Sequence, residues 1–230
     1  MEKNLAAQNI AREAMTITKD YLRAGQSLQE VRDFCENAMR DLDAESFWYH
    51  DIGAFIFSGE DTVLSISGRE YETPQRQVQP EDLLTIDLSP EQEGAWGDYA
   101  RTIVIEDGIA LSDPREARRL DWRQGVVTEQ RLHEELLRAV EPSMTFEELH
   151  ARMNQKIHQL GFENLDLHGN LGHTIEARPE DRIYIEEGNQ QQLGNVDLFT
   201  FEPHIRQSGV GFGFKHENIY YFANGQLRTL

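Results

Sequence analysis

The chain has 230 residues, 39% hydrophobic and 27% charged, with a formal net charge of −19 and a pI near 4.7. That length supports a sizeable core and the composition a folded chain, whereas so acidic a surface repels phosphate backbones and offers no basic run to an anionic membrane. With Cys35 as its one cysteine it can form neither an intrachain disulfide nor a structural zinc–thiolate site.

The N-terminal segment MEKNLAAQNIAREAM has no apolar h-region, and no apolar run reaches the roughly 18 residues of a membrane span, so a soluble cytoplasmic protein is expected. Residues 4–24 read as a helix with Leu5, Ile10, Ala14, Ile17 and Leu22 on one stripe, stopped by Gly25. SLQE at Ser27–Glu30 is a capping box that opens a second helix through about Leu42. Cys35 falls on the apolar stripe of this helix and reads as a buried structural residue, with a catalytic thiol as the alternative. Ala54–Phe57 and Thr62–Ile66 read as short strands.

Leu84–Ile105 predicts two paired strands. Leu84, Ile86 and Leu88 alternate with Thr85 and Asp87, then Ser89, Pro90 and Gly94 break the run, and a second strand covers about Asp98 to Ile105. Each strand carries one aspartate, Asp87 and Asp98. Two aspartates buried on paired strands would repel each other unless a divalent cation lay between them; the alternative is a pair of solvated edge residues.

A helical segment then runs from Asp113 to about Val140, with Gly125 as a weak point. TFEE at Thr145–Glu148 opens another helix, to about Leu160. An irregular polar stretch reaches Gly194, and strands are expected at Val196–Glu202 and Phe214–Phe222. The two capping boxes are offset by 118 residues, and Glu202 and Glu217 repeat the aspartate pair at offsets of 115 and 119. The pattern predicts one α+β domain over 1–230, built from two α-then-β halves at about 1–112 and 113–230 that close on a shared site.

Glu202 ends an apolar strand and Glu217 lies between Phe214 and the Ile219–Phe222 run; each alone reads first as a solvated strand-end glutamate, and it is four carboxylates on four paired strands that point to a site. Between them HGNLGHTIE sets His168 and His173 among glycines, which let backbone approach a site closely. His133, His150 and His158 lie on helices and read as surface or packing residues. Trp96 and Tyr99 flank the aspartate hairpin as pocket walls or core. Arg101 and Lys215 read as charge compensation for the carboxylates.

Taken together, Asp87 in IDLSP, Asp98 in GDYART, His173 in GH, Glu202 in FTFEP and Glu217 in KHEN resemble, in order and local sequence, the five metal ligands of the pita-bread metallohydrolases. Methionine aminopeptidase, aminopeptidase P, prolidase and creatinase belong to that family. The resemblance covers essentially the whole chain. It implies the pita-bread fold, two pseudo-symmetric αβ halves with a curved antiparallel sheet, and two divalent ions, Mn first and Co, Fe or Zn as alternatives. Asp87 would bind one metal, Asp98 and Glu217 would bridge both, and His173 and Glu202 would complete the other shell. A bridging water would become hydroxide at neutral pH, the metals would polarise the scissile carbonyl, and Glu202 would carry a proton to the leaving amine.

The chain departs from the family at two points. Val63–Gly68 holds no histidine where the peptidases carry one, and none lies near Glu180, about seven residues after His173. These histidines help bind substrate and stabilise the tetrahedral intermediate, so His168 and His50 become the candidate substitutes. His168 resembles the first histidine of the HGxxH motif of prolidase and aminopeptidase P, spaced one residue longer here. Glu180 is a candidate acceptor for a cationic or NH-rich substrate, and Trp96 and Tyr99 are candidate walls. The expected activity is peptide-bond hydrolysis of the aminopeptidase or Xaa-Pro peptidase type. The alternative is a small amide or amidine substrate, as creatinase shows for this fold, and then a non-catalytic binding module. The expected partner is a small peptide or amide; no nucleic acid and no membrane are expected, and a homodimer is left open.

Overall fold

The structure, a computed structural model, describes residues 1–230. Helix α1 spans Glu2–Tyr21 and buries Ala7, Ile10, Ala11, Ala14 and Met15 on one stripe. Helix α2 spans Leu28–Asp41. Ser27 Oγ accepts from the Glu30 amide, and the Glu30 carboxylate accepts from the Ser27 amide, so both halves of the capping box are made. Helices α3 (Leu120–Ala139) and α4 (Phe146–Gln159) form the second pair, α4 again on a complete capping box from Thr145 and Glu148. No helix is long and apolar enough to cross a membrane.

A four-stranded antiparallel sheet joins Ala54–Ser58, Asp82–Leu88, Tyr99–Glu106 and Ile109–Ala110 in that order. Its central pair sets Asp87 opposite Ala100 and Leu88 opposite Tyr99. Alternation then divides the faces. Leu84, Ile86, Ile103 and Ile105 join the first apolar core with α1 and α2. Leu83 and Val104 point the other way and join the second core with α3, α4 and the later strands. Asp87 lies on that second face, two positions from Thr85. Two three-stranded antiparallel sheets serve the second half. One orders Gln226–Thr229, Asn218–Ala223 and Phe199–Phe201; the other orders Gly213–Lys215, His204–Gln207 and Phe162–Asn164. The expected α-then-β repeat is therefore present, with the first half's sheet contributing to both cores.

The structure departs from the sequence pattern at four places. The strand expected at Thr62–Ile66 is instead a 3-10 turn over Gly59–Val63. Gly59 sits at φ +58 and the Thr62 hydroxyl donates back to its carbonyl at 2.6 Å, closing the turn. The helix expected from Asp113 begins only at Leu120, because the Asp113 side chain accepts from the Arg115 amide and closes a separate turn at Pro114–Glu116. The strand expected over Val196–Glu202 is reduced to Phe199–Phe201. The strand expected over Phe214–Phe222 is broken at His216 and Glu217, where the Glu217 amide leaves its own sheet and donates to the Ala100 carbonyl at 3.0 Å. Gly125, the weak point of α3, has a packing reason: a Cβ there would stand 2.2 Å from the Phe214 ring. Of the two readings of Cys35 the structure favours the structural one, since the side chain is fully buried and burial pushes its thiol up to about 12.

Candidate metal centre

The break at Glu217 positions the site. Tied to Ala100, Glu217 is brought to the Asp98 end of the hairpin, so ligand atoms of Asp87, Asp98 and Glu217 lie within 4.8 Å of one another. His173 Nε2 is 3.5 Å from Asp98 Oδ2 and 3.7 Å from Glu202 Oε1. The structure thus brings all five sequence-selected carboxylates and imidazole to one place.

Each is held by backbone. Gln8, fully buried on α1, donates to the Asp98 carbonyl and accepts from the Asp98 amide, both at 2.8 Å. Gly172 has φ +137, and a Cβ on it would meet the Thr200 carbonyl at 2.4 Å. That close approach lets the His173 amide donate to Thr200 Oγ1 (3.0 Å) and the Thr200 amide to the His173 carbonyl (2.7 Å). His173 Nδ1 donates to the Thr174 carbonyl at 3.0 Å, which fixes the tautomer with Nε2 bare and turned to the carboxylates. Burial, then the charge of Arg182, pulls His173 down to about 3, so it is neutral, the form a metal needs.

The donor set fits a divalent cation. Glu217 is completely buried and neither carboxylate oxygen has a hydrogen-bond partner. Burial first, then the charges of Asp98, Glu202 and Asp87, push its pKa well above the usual range. The same causes, burial followed by Asp87 and Glu202, act on Asp98. Carboxylates so placed are costly unless a cation compensates them. Lys215 supplies part of that compensation, with Nζ 2.5 Å from Asp87 and 3.2 Å from Glu202. Burial pulls its ammonium down, but Asp87, Glu202 and Glu217 outweigh it and hold Lys215 well above its ordinary range. Arg101 plays a different part from the charge compensation read in the sequence: it donates to the carbonyls of Ala100 and Glu217 and to Asn218 Oδ1, and lies over the Tyr99 ring at 3.7 Å.

Beside these residues opens a cleft of about 240 Å³. Leu64–Ser67, the segment without a histidine, lines it, as do His168 and Asp166. His168 is exposed at the rim. His50 is exposed, at φ +56, and its ring meets Tyr49 outside the cleft lining. Trp96 is buried against Trp48 and donates to the Glu176 carbonyl. Tyr99 faces a second cavity with Arg101. Glu180 is exposed and 3.9 Å from Arg178. The structure therefore leaves Trp96, Tyr99 and Glu180 outside the cleft lining. Two residues that the sequence reading passed over do line it. His204, two positions beyond Glu202, donates from Nε2 to the Thr62 carbonyl at 2.7 Å, and burial and Lys215 pull it down to about 4. Arg182, in the irregular polar stretch before Gly194, is the other. The available signal for the first was its place two residues after Glu202; Arg182 had none.

Two consequences are measurable. Gln8→Leu removes both bonds that hold the Asp98 peptide and leaves that buried peptide unpaired, a cost of about 1–3 kcal/mol per group. Urea unfolding is expected to show this loss together with weaker metal binding; unchanged metal affinity would separate Gln8 from the site. Behind Lys215, Glu129 of α3 is buried with both oxygens unpartnered, and burial pushes its pKa well above the usual range, Lys215 and Arg101 pulling it back in part. Its folded pKa exceeds the unfolded one, so its penalty is absent at low pH and grows as pH rises past the ordinary carboxylate range. Glu129→Gln is expected to match the parent in stability near pH 4 and to exceed it by about 1–3 kcal/mol at pH 8; equal stability at both pH values would refute this.

The profile described as Peptidase_M24, metallopeptidase family M24, matches residues 2–223. No curated protein sequence matches the chain. Among solved structures, X-Pro aminopeptidase from Thermotoga maritima superposes with a TM-score of 0.80 at 22% identity, over 99% of this chain and 59% of that one. Prolidase from Pyrococcus furiosus gives 0.81 at 20% identity, over 99% and 62%. Methionine aminopeptidase from Thermotoga maritima gives 0.74 at 11% identity, over 99% and 94%. The chain thus spans about three fifths of the first two proteins and nearly all of the third, and at these identities the likeness is one of fold.

Proposed function

Because the chain belongs to metallopeptidase family M24, we propose that it is a metal-dependent hydrolase that cleaves the amide bond of a small peptide in the cleft beside Asp87, Asp98, His173, Glu202 and Glu217. The observation that carries this reading is Glu217, whose two buried carboxylate oxygens have no partner within a cluster of further carboxylates. Two divalent ions suit four carboxylates and one imidazole, Mn first and Co, Fe or Zn next. When bound they supply Lewis acidity that makes a water acidic near neutral pH and polarises the scissile carbonyl.

The remaining work falls to the chain. Asp87, Asp98 and Glu217 would hold the cations, and the Thr174 carbonyl keeps His173 Nε2 turned toward that cluster. Glu202, beside His173, takes a proton from the attacking water and returns it to the leaving amine. Besides His173 the cleft holds His204 and His168; His204 spends its one proton on the Thr62 carbonyl, so hydrogen bonding to the tetrahedral oxygen falls to His168. The second reading, a small non-peptide amide, draws on the histidine-free Leu64–Ser67 wall.

The test is metal content together with turnover. Protein purified without chelator is analysed for bound metals, and Mn- and Co-loaded samples are assayed on Met-Ala, Xaa-Pro and Pro-terminated peptides. About two equivalents of metal with turnover support the peptidase reading. Metal without turnover moves the assignment to a small amide, and absence of metal binding refutes both.

A further inference from the structure

We propose that the second cavity, walled by α1 and α3, binds a free α-amino acid with an apolar side chain, its ammonium on Glu129 and its carboxylate on Arg101. This site is separate from the cleft beside the candidate metal residues and does not depend on the hydrolase reading.

The cavity measures about 440 Å³ and lies at the junction of the two halves, a volume within the ordinary range for small-molecule sites. Met15 of α1 and Val126 of α3 face it from either side, and Ile103 and Leu111 add to the apolar wall. Of the residues that line the cleft, only Lys215 recurs here, and its ammonium is engaged with Asp87 and Glu202 on the cleft side.

Two charges of opposite sign line this cavity without pairing with each other. Glu129 is 2% exposed and neither of its oxygens has a hydrogen-bond partner. Arg101 is close enough to act on Glu129 through space, yet its hydrogen bonds all go to neutral acceptors. Its Nη1 donates to the carbonyls of Ala100 and Glu217, and its Nη2 to Asn218 Oδ1. A guanidinium carries five N–H groups, so the Nε–H and one Nη2–H are left over. Charges held this way are costly until a partner compensates them. A zwitterion compensates both at once and brings no net charge into the cavity. Its ammonium donates to Glu129, whose side chain turns into the cavity it lines, and its carboxylate accepts from Arg101. A simple amine leaves Arg101 unpaired and adds another cation beside it; a simple acid leaves Glu129 unpaired. An inorganic cation finds one carboxylate among apolar walls, too few oxygens for a hard ion. The apolar walls instead receive a hydrocarbon side chain.

The test is calorimetric titration of the chelator-stripped chain with L-leucine, isoamylamine and isocaproate. The last two keep the leucine side chain and lack its carboxylate and its ammonium respectively. Leucine is expected to bind saturably, and the amine and the acid each more weakly by on the order of 10-fold or more, since each forfeits one charged contact. Glu129→Gln keeps the size of the side chain and removes its charge. Thr16→Trp places a bulky ring at the cavity from the exposed face of α1. Both variants are expected to weaken leucine binding by that same order while keeping the rise in Tm that Mn gives the parent, which shows them folded. Leucine binding that survives both variants belongs to the cleft and overturns the proposal. Equal binding of leucine and isoamylamine overturns it as well, as does the absence of any heat with leucine. Failure of the hydrolase reading appears elsewhere, as metal-loaded protein without turnover, and leaves these titrations unchanged.

Discussion

Glu217→Gln is expected to fold yet to lose the heat stabilisation that divalent metal gives the parent chain. Glu217 is wholly buried, its oxygens have no hydrogen-bond partner, and it lies with Asp87 and Asp98 inside a 4.8 Å cluster. In protein stripped by chelator, glutamine replaces a group that burial and three neighbouring carboxylates already disfavour in its charged form, so stripped variant and stripped parent should melt within a few degrees of each other. Added metal binds the folded parent alone and stabilises it by about 2.7 kcal/mol at a hundredfold excess over Kd. For a chain of this size that is a rise of roughly 5–10 °C in Tm. The variant offers a neutral amide in place of a buried carboxylate and should show almost none of it. Turnover should fall by about 10²-fold or more, since even the groups that merely orient metal ligands are worth about that much. Calorimetric scans with and without Mn check the result, and an equal metal-induced rise in both proteins would remove Glu217 from the site.

Lys215→Met is expected to act in the opposite sense. In the stripped protein Lys215 Nζ is the cation within reach of both Asp87 and Glu202. Taking one partner from a buried ion pair leaves uncompensated charge and costs about 3–5 kcal/mol, which corresponds to a fall of roughly 10 °C in Tm. Methionine keeps the length of the stem and its packing. Added metal then restores the missing positive charge, so the metal-induced rise in the variant should exceed that of the parent, and its metal affinity should rise as well. A stripped variant as stable as the parent would show that Lys215 contributes nothing to charge balance there.

Elements whose cause is local are legible in the amino-acid order alone. Ser27 with Glu30 and Thr145 with Glu148 start their helices because the capping partners are three residues apart, and both boxes form. The alternation in Leu84–Leu88 fixes which face Asp87 takes, because successive strand side chains point to opposite sides. The five candidate ligands were selected for a different reason: their order and flanking residues resemble a known family, whose fold the structure shares. What tertiary structure alone decided joins distant residues. Lys215 meets Asp87 across 128 positions, His204 meets Thr62 across 142, and Gln8 holds Asp98 across 90. No periodicity in a short window encodes such a pair. The strand that looked continuous through Phe222 breaks at Glu217 because an amide finds the Ala100 carbonyl in the other half of the molecule, and that exchange carries the buried carboxylate to the site. Arg182 carries no signal in its local sequence; only the fold places three aromatic rings around it and gives the neighbouring acids to Arg178.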